Sequence, residues 1–134
     1  MKKRPHRLSW ITQLKYRWLL RRAVWSKPAI GLLTAPEPWT IGDFERGQQL
    51  VSGKVLITGH MMDVGENSIW SQSPQSELFA TELQGFGWLD DLAALGDQAA
   101  KYKAQSWVLD WISGFGMGKG PGWSADLTGR RLIR

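Results

Sequence analysis

The sequence predicts a mainly α-helical chain with one short strand, and three observations carry that prediction. Apolar residues recur at helical spacing from Phe79 to Ala93 and again from Ala100 to Ile112. Each of these stretches, and a shorter one from Phe44, follows a residue suited to cap a helix: Ser76, Asp97 and Asp43. Only Lys54 to Thr58, bounded by Gly53 and Gly59, reads as a β-branched run short enough for a strand.

Taken in order, residues 1–27 form a basic arm. Ser9 is its expected cap, and Trp10, Ile11, Leu14, Trp18, Val24 and Trp25 alternate with basic residues in an amphipathic helix. Lys15, Arg17, Arg21 and Arg22 interrupt every apolar run too early for a secretory signal. No run has the length needed to cross a bilayer. The cytoplasm is therefore expected ahead of the periplasm. Residues 28–42, with Pro28, Gly31, Pro36 and Pro38, read as a linker. Residues 43–134 are the helical body.

Within the body, Asp43 caps a helix from Phe44 to about Val51, and Gly53 ends it before the strand. From His60 to Gln75, glycines, serines and a proline break any period, so a loop is expected. A helix starting at Ser76 or Glu77 carries Phe79, Leu83, Phe86, Leu89 and Leu92 on one side, weakened at Gly85 and Gly87. It ends near Gly96, where Asp97 starts a second helix and so makes a helical hairpin. The five glycines from Gly114 to Gly122 are a loop, and Trp123 to Arg134 opens another helix.

Composition narrows the chemistry. The chain has 134 residues, nine of them tryptophan, and no cysteine, which excludes disulfides and thiolate chemistry. His6 and His60 are the only imidazoles, so neither a metal site nor a cofactor is expected. The nine Trp serve first as packing bulk and secondarily as faces for sugar rings. Charge is asymmetric: the first 36 residues hold nine Lys or Arg and no acid, a net charge of +9, and the rest carries −4. Such an arm attracts an acidic glycan, a lipid headgroup or a nucleic acid alike. The acidic body has no nucleic-acid-reading motif, so no specific nucleic-acid partner is expected.

Individual residues offer little catalytic promise. His60 with Asp63 is an acid–base or metal pair only if the fold brings them together. Tyr102, between Lys101 and Lys103, is better explained as ordinary helix surface. Asp90 and Asp91 are adjacent, about 100° apart on a helix, and so do not face each other as a glycosidase pair. In the glycine-rich loop Lys119 is followed by Gly120, which breaks the phosphate-loop pattern.

The helix pair LQGFGWLDDLAALGDQAAKYKAQSWVLDWI, followed by Trp123 and Arg130-Arg131-Leu132, resembles the amino-terminal region of heparinase II/III family proteins. Upstream, Pro36, Trp39 and the stretch GDFERGQQLVSGKVLITG are similar to the segment preceding the helical toroid in that family. This resemblance implies helical hairpins forming the start of an incomplete α/α toroid, and a bacterial polysaccharide lyase that cleaves acidic glycans such as glycosaminoglycans by β-elimination. The implied partners are an acidic polysaccharide and the remainder of the lyase chain. The implied catalytic groups lie beyond Arg134, so no catalytic residue is assigned and the chain, a fragment ending in an unfinished helix, is expected to be inactive alone. Trp88, Trp123, Arg130 and Arg131 are the candidate sugar-contacting residues. The alternative is a non-catalytic module that holds an acidic polysaccharide or a membrane surface through the basic arm and exposed Trp residues.

Overall fold

The structure, a computed structural model, describes residues 10–27, 31 and 40–134. The expected cap Ser9, His6, Trp39 and most of the linker lie outside the described residues. The chain divides into two compact units, Met1–Ala35 and Pro36–Arg134. In the first, helix α1 runs Trp10–Val24, and the Trp25 N–H closes one further turn onto Arg22.

The second unit is mainly helical with a small antiparallel sheet, as expected in class. Its order is α2 (Phe44–Val51), β1 (Lys54–Ile57), β2 (His60–Asp63), α3 (Glu77–Gln84), α4 (Trp88–Leu95), α5 (Gln98–Phe115), a 3-10 turn (Pro121–Trp123) and α6 (Ala125–Leu132). The side chains of Asp43, Ser76, Asp97 and Ser124 accept N–H groups of Arg46, Phe79, Ala100 and Leu127, satisfying donors that a helix start leaves free. Three of these four caps are legible in the sequence.

Two elements differ from expectation. His60–Asp63 is a strand, paired with β1 in the register Val55↔Met62 and Ile57↔His60. Thr58 and Gly59 both have positive φ, the geometry of a tight two-residue hairpin turn, which needs no long loop signal. The stretch expected as one weakened helix is two, α3 and α4. They are separated at Phe86, whose φ of 63° lies in the left-handed region.

The core is aromatic. Trp70, Phe86, Trp88, Trp107, Trp111, Phe115 and Trp123 form a connected cluster with ring centroids 5.3–6.4 Å apart, mostly tilted or edge-on. Val55, Met62, Val64 and Ile69 close one side of it from the hairpin and the loop after it. Four of the cluster's five indole N–H groups donate within the fold: Trp70 to the Trp107 carbonyl at 2.7 Å, Trp88 to the Leu83 carbonyl at 3.2 Å and Trp123 to the Phe115 carbonyl at 2.7 Å. Trp111 donates to the Gln84 side chain at 2.6 Å. Packing bulk is thus the role of these tryptophans.

Candidate functional site

Three places bring polar chemistry together, each built from elements described above. The first is a cleft of about 440 Å³ between α2, the start of α4 and the hairpin turn, with Arg46, Gln49, Glu82, Asp90 and Asp91 among its polar lining residues. Its carboxylates are engaged. Asp90 accepts the Thr40 hydroxyl at 2.5 Å and pairs with Arg134. Asp91 accepts the Asp43 N–H at 2.8 Å, and Glu82 pairs with Arg130 at 3.2 Å. Burial pushes the Asp91 carboxyl above the usual range, against the lowering effect of the Asp43 N–H and the Arg46 charge. These contacts tie the entry of α2 and the end of the chain to α4. Gln49 Oε1 is buried there, with no hydrogen-bond partner among the described residues.

A second site surrounds Arg131. Its guanidinium lies 4.6 Å from the Trp111 ring centroid, 5.6 Å from Trp123 and 5.7 Å from Phe86. It donates to the Gln84 carbonyl at 3.0 Å, and among the described residues no carboxylate pairs with it. Burial lowers its pKa from the ordinary arginine value, yet a guanidinium stays charged at any physiological pH.

The third is the surface of α1. Trp10, Trp18 and Trp25 are 71%, 57% and 92% exposed, and Ile11, Leu14 and Leu19 are also exposed. Lys15, Arg17, Arg21 and Arg22 are exposed beside them, with the Arg22 guanidinium 4.8 Å over the Trp18 ring.

Of the sequence-derived candidates, Trp88 is 3% exposed and sits in the aromatic core. Trp123 and Arg131 join its edge, and Arg130 bridges Glu82 and Asp126. His60 is exposed at the hairpin end, facing Ile57, while Asp63 Oδ1 accepts the Gly65 N–H. The fold therefore does not make a bonded pair of them. Tyr102 is 73% exposed. Residues that sequence reasoning missed are Gln84 and Arg134. Gln84 resembles any surface glutamine in a helix, and nothing local signals that Trp111 will cover it.

No protein-family model matches the chain. No solved structure matches it. Over 103 residues, 76% of its length, the chain is 29% identical to FtsZ-localized protein C of Caulobacter vibrioides, and it spans 18% of that protein's length. This corrects the reading as a heparinase II/III protein: the similarity found is to a protein named for localising with FtsZ, and neither a family model nor a solved structure supports a lyase. The lyase activity, the acidic glycan as substrate or partner and the carbohydrate-binding module lose their basis with it. The α/α toroid rested on that resemblance as well; what stands is a mainly α chain with a two-stranded sheet. Among the described residues no helix is long and apolar enough to cross a membrane.

Proposed function

We propose that this chain localises with FtsZ and acts there by binding protein. The observation that carries this reading is the 29% identity to FtsZ-localized protein C over three-quarters of the chain. Two features support binding over chemistry. Asp90 and Asp91, the adjacent carboxylates weighed as a glycosidase pair, instead tether the entry of α2 and Arg134 to α4. The three most exposed tryptophans among the described residues, Trp10, Trp18 and Trp25, lie on or directly after the basic helix α1, and Trp and Arg are the residues that dominate protein interfaces. A chain that meets FtsZ shares its compartment, so the cytoplasm remains the proposed location.

The test is imaging of a fluorescent fusion of the 134-residue chain beside labelled FtsZ in Caulobacter vibrioides. The expected result is coincident signal that disperses when FtsZ is depleted. Diffuse signal, or a pattern indifferent to FtsZ depletion, overturns the reading.

A further inference from the structure

We propose that α1 is a helical docking element for an acidic-rimmed apolar groove on a partner protein. This inference rests on the arm alone and stands whether or not the partner is met at FtsZ. At about 100° per residue, Trp10, Ile11, Leu14 and Trp18 fall within one stripe about 100° wide along the helix. Within it Trp10, Leu14 and Trp18 stand four and four residues apart, the spacing of the anchors by which a helix lies in a groove. All four are exposed.

The basic residues frame this stripe. On the same helical projection Arg17 borders one side, Arg22 and Lys15 the other, and Arg21 falls within it toward the carboxyl end. Among the described residues none of these four cations forms an ion pair. No acid occurs in the first 36 residues to neutralise them locally. Carboxylates on the partner supply that neutralisation, and Trp and Arg are the side chains that give most binding energy when a groove excludes water from them.

The same arrangement argues for a protein partner over a lipid surface. A helix lying in a bilayer interface segregates an apolar face from a charged one. In α1 a cation lies inside the Trp stripe, and Leu19 stands roughly opposite it, exposed. Apolar and basic groups interleaved at side-chain resolution match a surface with its own fixed pattern of apolar and acidic groups.

The experiment uses the full chain labelled with nitrogen-15 and follows the indole signals of Trp10 and Trp18 by NMR. The probe is a synthetic helical peptide of Leu/Glu heptads, which offers an apolar seam rimmed by carboxylates. Its controls are the same peptide with the Leu positions replaced by Ser, and vesicles of phosphatidylglycerol and phosphatidylcholine. Saturable shifts with the Leu/Glu peptide, absent with the Ser peptide and the vesicles, are expected. Trp18→Ala should weaken this binding about tenfold, as loss of an interface anchor does, while Leu19→Ala, off the stripe, leaves it unchanged. Equal binding of the Ser peptide reduces the effect to charge attraction and overturns the proposal. So do shifts produced by the vesicles, equal losses in both variants, or no shift with any probe.

Discussion

Trp111 and Gln84 are joined by a hydrogen bond of 2.6 Å from the indole N–H to the side-chain oxygen, inside the core. Gln84 is 5% exposed, the one polar side chain buried among the described residues. The same residue's carbonyl accepts from Arg131, and Gly122 packs so closely on its amide oxygen that a Cβ there would force the Gln84 side chain to move. Gln84 thus connects α3, α5, the 3-10 turn and α6. Replacing it with Leu keeps the volume and leaves the Trp111 N–H buried without an acceptor. An orphaned buried donor costs about 1–3 kcal/mol, and that loss is expected for Gln84→Leu in urea denaturation followed by circular dichroism.

Arg131 tests a different contribution. Lysine in its place keeps the charge and loses both the flat face against Trp111 and the fork that reaches the Gln84 carbonyl and Thr128. A partly buried cation–π contact contributes roughly 1 kcal/mol, so Arg131→Lys should lower the urea midpoint detectably, and Arg131→Met by no less. An unchanged midpoint in Arg131→Lys would show that the charge alone matters here.

Local chemistry made much of this fold legible. Asp43, Ser76 and Asp97 announce their helices because a cap acts within three residues of itself. Gly96, at φ 65°, ends α4 for a similarly local reason. The strand at His60–Asp63 was not legible, because only Met62 of its four residues is buried and its order comes from pairing with β1. The break at Phe86 was hidden by a side chain that continues the apolar period while its backbone leaves the helix. The family resemblance failed for a related reason. A Gly-Asp joint between two alanine-rich amphipathic helices is the grammar of helical hairpins at large. Nor did any local signal show which Trp would be enclosed: Trp18 and Trp107 both recur at helical spacing, yet one is exposed and the other lies in the core.

Asp91 gives the chain a pH dependence of definite sign. Its folded carboxyl has a raised pKa, chiefly from burial. The folded state therefore holds that proton more tightly than the unfolded chain. The stability from this group is fully present below the unfolded pKa and is lost as pH rises through the folded one. Asp91→Asn keeps an oxygen to accept the Asp43 N–H and removes the half-buried charge. The variant should gain on the wild type at neutral pH and lose that advantage near about pH 3, where the carboxyl is protonated in both states. Urea midpoints of both proteins at the two pH values decide it; an advantage that does not change between them assigns the effect to packing.

The glycines of α2 and α6 make opposite predictions for one substitution. Gly42, just before α2, and Gly47, within it, bring the backbone against α4, and a Cβ at either would run into the backbone of Asp90 or Asp91. Gly47→Ala must push α2 away from α4, and overpacking of this kind costs about 1–3 kcal/mol. Gly129 lies inside α6 with nothing within 4 Å of where a Cβ would stand. Alanine there restricts the unfolded chain and favours the helix, a gain of about 0.4–1 kcal/mol. Thermal unfolding of the two single variants should move in opposite directions. If Gly47→Ala instead melts at the wild-type temperature, the close approach of α2 to α4 is not what holds that side of the body together, and the polar contacts of Asp90 and Asp91 with Thr40, Arg134 and the Asp43 N–H hold it instead.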